Sequence, residues 1–135
     1  MIRRLIRPVI RFSFWMFDRP APGLDLALAV LAAGWAATAV FAPDMLDRRS
    51  YALLGIMPPA VIAVVMSALC VAHAMTAWRP SRWWRLGPLL ASGFVWLSIA
   101  GAFAVMGTWT DVVVYALAGA GCLMGAIYIE TEREA

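Results

Sequence analysis

The chain has no lysine, one histidine and two cysteines, and charged residues make up only 14% of it. An ordinary soluble domain carries about 25% charge. Hydrophobic residues account for 64% of the 135 positions, more apolar side chain than a water-facing protein of this size can cover. A bilayer is the solvent that accommodates the excess. The scarcities exclude other classes as well. Cys70 and Cys122 fall inside apolar runs, where cysteine acts as a small hydrophobe, so the disulfide framework of a small secreted domain does not apply. Cys and His show no metal-ligand spacing, and there is neither a nucleophile elbow nor a phosphate loop. No carboxylate lies near the middle of a long apolar run, which argues against a carrier driven by a central membrane glutamate. The expectation is a protein that is not an enzyme, with no catalytic residues, no metal and no cofactor.

What the chain does contain is four apolar segments. Crossing a hydrocarbon core of about 30 Å takes about 20 residues of helix, because helical backbone satisfies its own hydrogen bonds in lipid. The segments predict spans over 24–42, 58–78, 86–107 and 112–129. Pro58 and Pro59 fit the first turn of the second span, where a missing N–H costs nothing. Residues 44–55 then form a short interfacial helix, capped by Asp44 and stopped near Gly55. Thr110 or Asp111 caps the fourth span. No repeat or linker divides the chain, so one domain over 1–135 is expected: an all-α four-helix transmembrane bundle.

Arginines decide the orientation, since short basic loops stay on the cytoplasmic side. With four spans, Arg3, Arg4, Arg7, Arg11, Arg19, Arg79, Arg82, Arg85 and Arg133 share one side, against Arg48 and Arg49 on the other. Both termini are therefore expected in the cytoplasm of a bacterial cell, with the bundle in the inner membrane. Residues 2–17 place Ile2, Leu5, Ile6, Val9 and Ile10 at helical spacing opposite Arg3, Arg4, Arg7 and Arg11, a basic amphipathic helix suited to an anionic leaflet. Arg11 interrupts what would be the apolar part of a signal peptide, and no small-residue cleavage pattern follows before "DRPAPG". The segment is expected to remain in the mature protein. The stretch "AWRPSRWWRLGP" joins spans two and three. Trp15, Trp78, Trp83, Trp84, Arg79, Arg82 and Arg85 read with the N-terminal arginines as interface anchors. Three arginines against a bilayer offer too little basic surface for nucleic acid.

Three polar residues inside or near the spans form a possible site: Asp25, His73 and Tyr115. Asp25 sits in the first turn of span one, where a helix N-terminus favours an anion. His73 lies about five residues from the inner end of span two, or about 8 Å deep at 1.5 Å per residue, within reach of Asp25 if these spans form a hairpin. A haem ligated by His73 would need a second ligand such as Met66, Met75 or a symmetry mate. Small residues mark helix-packing faces, because they let backbones approach in lipid: Ala29, Ala33, Gly34 and Ala37 in span one, Gly93 and Gly101 in span three, and the Gly121/Gly125 pair in span four.

The general shape, a small polytopic chain with charged ends and no catalytic set, resembles holins and other small phage or bacterial membrane proteins. The small-residue faces and the lack of a catalytic set point to action through helix association, as an accessory subunit of a membrane complex or as a self-assembling, holin-like protein. The expected partners are anionic lipids and other transmembrane helices, self or foreign. A small channel or carrier, and a haem-binding anchor subunit, stand as alternatives.

Overall fold

The structure, a computed structural model, describes residues 22–48, 51–78 and 82–131. These residues form four α-helices: α1 (Pro22–Phe41), α2 (Pro59–Trp78), α3 (Arg82–Met106) and α4 (Trp109–Thr131). Each is long and apolar enough to cross a membrane, and no strand occurs among the described residues. The N-terminal helix expected over 2–17, with Arg3, Arg4, Arg7, Arg11 and Trp15, lies outside the described residues, as does Arg79.

Every helix buries one stripe at alternating spacings of three and four. In α1 it is Asp25, Leu28, Ala32, Trp35 and Ala39; in α2, Ile62, Met66, Leu69, His73 and Thr76. In α3 the stripe is Arg85, Leu89, Ser92, Trp96, Ile99 and Phe103, and in α4 it includes Cys122, Ala126 and Ile129. An average step of 3.5 keeps a seam facing its neighbours at the shallow crossing of a left-handed bundle. The pairing is uneven. Helix α1 lies along α2 and α3 along α4, whereas contacts between these two hairpins are sparse at the backbone level.

The ends differ from the sequence expectation for identifiable reasons. Between α3 and α4 the chain turns on Gly107, with φ of +76°. Gly107 N–H donates to the Ala104 carbonyl at 3.2 Å and Thr108 N–H to the Phe103 carbonyl at 3.1 Å, the Schellman closure of a helix. Thr108 at once accepts from Asp111 and Val112 N–H, so α4 starts at Trp109, three residues before the expected span. Helix α3 begins at Arg82 rather than at residue 86, which moves Pro88 from the first turn into the helix interior. Over 44–55 a regular helix is not what the described residues show. A 3₁₀ turn at Pro43–Met45 leads into successive i→i+3 bonds, Tyr51 N–H to the Arg48 carbonyl and Leu54 N–H to the Tyr51 carbonyl, both 2.8 Å. The tighter winding lets Leu46 fold inward, where it is 2% exposed, and it sets Tyr51 and Leu54 against the core. An interfacial helix would have left that end of the bundle uncovered.

Small residues serve packing within the chain. A Cβ built on Gly119 would lie 2.6 Å from Leu97 Cγ, and one on Gly125 2.9 Å from Leu24 Cδ2, whereas Gly34 and Gly101 have nothing within 4 Å. Gly119→Ala is expected to destabilise the bundle by about 1–3 kcal/mol through overpacking. Gly101→Ala should be neutral or gain up to about 1 kcal/mol from helix propensity. Thermal unfolding of the two variants in one detergent checks the contrast.

Candidate functional site

The buried stripes are apolar except at one end of the bundle, the end where α1 and α3 start and α2 and α4 finish. There each of three helices contributes a polar side chain to a common cluster. Asp25 comes from the first turn of α1, His73 from the last third of α2, and Arg85 and Ser92 from the first half of α3. Asp25, His73 and Ser92 are fully buried and Arg85 is 4% exposed.

Asp25 is the hub. Its Oδ2 accepts from Arg85 Nε at 2.8 Å and lies 2.7 Å from Arg85 Nη2, while its Oδ1 lies 3.1 Å from His73 Nδ1. A carboxylate only accepts, so His73 Nδ1–H donates to it. With the imidazole neutral, Nε2 then accepts from the Ser92 hydroxyl, 2.6 Å away. The charges of Asp25 and Arg85 cancel, and a neutral His73 adds none, which is the arrangement a low-dielectric interior tolerates best. Thr76 Oγ1 donates to the His73 carbonyl at 2.9 Å, fixing the turn that carries the ring.

This cluster crosses the sparse interface. Asp25 and His73 belong to the α1/α2 hairpin, Arg85 and Ser92 to the α3/α4 hairpin. In lipid no hydrophobic force drives helices together, and association rests on packing and interhelical hydrogen bonds. The cluster is therefore a clasp between hairpins. Next to it Leu24 covers the Gly121 and Gly125 face of α4, together with Leu89 of α3, so that pair is used inside the chain.

The residues expected to form a polar site divide in two. Asp25 and His73 meet directly. Tyr115 lies toward the other end, where its ring stacks on Trp96 at 5.9 Å and on Phe103 at 5.4 Å and its hydroxyl accepts from Trp35 Nε1 at 3.0 Å. Tyr51 joins this group edge-on to Trp35 and Phe103. Arg85, expected in the headgroup rim, is instead an interior partner of Asp25; Trp78 and Trp84, expected in the same rim, are 88% and 70% exposed. Ala29 and Gly93 are buried, whereas Ala33, Gly34, Ala37 and Gly101 face outward. Reading the sequence missed Arg85 and Ser92 as cluster members. The signal was present: continuing the α3 stripe backward from Trp96 through Leu89 reaches Arg85, and Ser92 falls between them.

Chemically, Asp25, His73 and Ser92 share the connectivity of a hydrolytic relay. The remaining requirements are a reachable nucleophile and donors for an oxyanion. Ser92 is fully buried and sits in mid-helix, where neighbouring backbone N–H groups are already bonded. The arrangement as it stands holds helices rather than a substrate. It fits haem poorly too, since both nitrogens of His73 are engaged. Among the described residues no group of three His, Cys, Asp or Glu side chains is placed to hold a metal ion. No family model, curated protein or solved structure matches the chain.

Removing one member of a buried ion pair strands its partner, so Asp25→Asn and Arg85→Gln should each cost about 3–5 kcal/mol. Ser92→Ala removes a single neutral hydrogen bond and should cost about 0.5–2 kcal/mol. Unfolding in detergent micelles measures both, and the expected order is Asp25 and Arg85 well above Ser92.

Proposed function

We propose that this chain is a non-enzymatic multi-pass protein of a bacterial inner membrane that works by associating with other transmembrane helices, as an accessory subunit of a membrane complex. One observation carries the reading. The ionisable side chains Asp25, His73 and Arg85 meet inside the bundle, while small residues at Ala33, Gly34, Ala37 and Gly101 stay on the outside, where none of the described residues fills the space over the two glycines. Small outward faces let a further helix approach closely, and a protein acting through its exterior needs no open polar interior. The arginine distribution supports both termini on the cytoplasmic side, with the basic N-terminal segment and the Trp78 and Trp84 rim contacting anionic lipid. A channel finds less support. Asp25 and His73 sit in the cluster at the Arg85 and Ser92 level, whereas Tyr115 lies past the fully buried Trp96 on which it stacks, so the three do not line one path. Self-assembly of the holin kind uses the same outward faces and differs only in the partner.

Two measurements test this. Ala37→Leu and Gly101→Leu place bulk on the outward faces, and they should reduce crosslinked or co-purified species at unchanged thermal stability. Unchanged native mass in both variants would remove association through these faces. A fluorophosphonate probe should leave Ser92 unlabelled in membranes; labelling abolished by His73→Gln would make the relay catalytic and overturn the non-enzymatic reading.

A further inference from the structure

Two clefts flank Trp35 in the half of the bundle away from the clasp, where aromatic rings fill the interior. They differ in chemistry. One, of about 270 Å³, lies between α2 and α3 and is walled by Ile62, Met66, Val95 and Ile99; its only side-chain hydroxyl, Ser98, already donates to the Phe94 carbonyl. An acyl chain of the bilayer satisfies such a groove, and it carries no recognition.

The other, of about 380 Å³, falls in the size range of small-molecule sites. It runs from Val30 on α1, about 16 Å inside the end of that helix at 1.5 Å per residue, up to the chain at Met45 and Leu46. Its walls include the rings of Trp35 and Tyr51 and the side chain of Tyr115. Tyr115 is stacked between Trp96 and Phe103, so it offers its hydroxyl oxygen rather than a ring face. Gly34 forms part of the floor, and a Cβ there would meet only open space. The charges in the segments flanking the cleft are nearly balanced, with carboxylates one ahead. Asp44 and Asp47 flank the lining residues Met45 and Leu46, and Asp111 stands one turn before Tyr115 on the same face of α4. Arg48 and Arg49 are the basic residues in the same connection, leaving three carboxylates against two arginines.

We propose that this cleft binds a tetra-alkylammonium group. Aromatic walls attract a weakly hydrated cation through their ring quadrupoles, the Tyr115 and Tyr51 oxygens accept its polarised C–H edges, and Asp111, one turn before Tyr115 on the same face of α4, supplies a counter-charge. The apolar depth between Val30 and Leu31 takes the rest of an amphiphilic molecule. The chemistry is shared by a free quaternary amine and a choline lipid headgroup. The cleft shares Gly34 with the outward face of α1 assigned to helix association, and ligand binding is read by titrating the chain alone, apart from any partner helix.

The test uses the full chain in phosphatidylglycerol nanodiscs, titrated calorimetrically with benzyltrimethylammonium and with its uncharged carbon isostere, neopentylbenzene. Saturable binding of the cation, at least about tenfold tighter than the isostere and weakened at least about tenfold by Gly34→Leu, is the expected result. A Cβ at Gly34 meets no described atom within 4 Å, so Gly34→Leu enters the cleft from its open floor and its unfolding temperature should stay close to the parent's. Asp111→Asn keeps the space and should weaken the cation alone by several-fold. Equal binding of cation and isostere, or cation binding unchanged by Gly34→Leu, overturns the proposal. Repeating the titration at a fixed phosphatidylglycerol fraction, with the remaining lipid either phosphatidylethanolamine or phosphatidylcholine, distinguishes the sources at equal surface charge: a headgroup ligand competes and lowers the apparent affinity in phosphatidylcholine, whereas a free amine binds equally in both mixtures.

Discussion

The carboxylate of Asp25 is the point on which the bundle depends. It accepts from Arg85 through one oxygen and from His73 through the other, and those donors come from opposite hairpins. Burying a charge in this setting is costly unless it is paired and hydrogen-bonded. Here the cost enforces geometry, because separating Arg85 from Asp25 gives up the contacts at 2.7–2.8 Å that offset the burial of both charges. Helix pairs α1/α2 and α3/α4 pack through their own seams. What sets one pair against the other is the clasp, with Ser92 extending it one layer deeper and Leu24 laid over the glycines of α4 beside it.

The two ends of the bundle are solved by different physics. At the clasp, charge and hydrogen bonds converge in a buried cluster. Toward the other end, the interior is filled by Trp35, Tyr51, Trp96, Phe103 and Tyr115, whose rings meet edge-on or stacked at 5.3–6.1 Å. Rings are wide and rigid, and both clefts described above open here, against Trp35. Trp96 Nε1 is buried without a hydrogen-bond partner; stacking on Tyr115 fixes the indole in place of a polar contact.

The spans were legible in the sequence because hydropathy and arginine placement agree on four. Their ends were less so. A Schellman turn at Gly107 and a cap at Thr108 depend on backbone geometry that "MGTWTD" does not disclose, and the tight turns over 43–57 follow from Leu46 and Tyr51 seeking the core. The Asp25–His73 pair could be anticipated, since both lie toward the same end of adjoining spans. Arg85 could not be, as long as "RWWR" was taken as a rim: a headgroup arginine and a buried one look alike until the heptad-like stripe of α3 is followed back to it. Glycines divided in the same way. Gly121 and Gly125 met Leu24 and Leu89 of their own chain, Gly119 proved the tightest position without belonging to that pair, and Gly34 and Gly101 stayed outside. Spacing marks a glycine as a close-approach residue but not whose helix approaches.

The central claim is that a buried charge pair joins the two hairpins, and a double-mutant cycle on Asp25→Leu and Arg85→Leu measures it most directly. The account predicts that each single variant is strongly destabilised in detergent while the double variant recovers at least about 2 kcal/mol of the summed loss, because neither charge is then stranded. Losses that add to within about 0.5 kcal/mol would show that the two residues act independently, and the clasp would not exist.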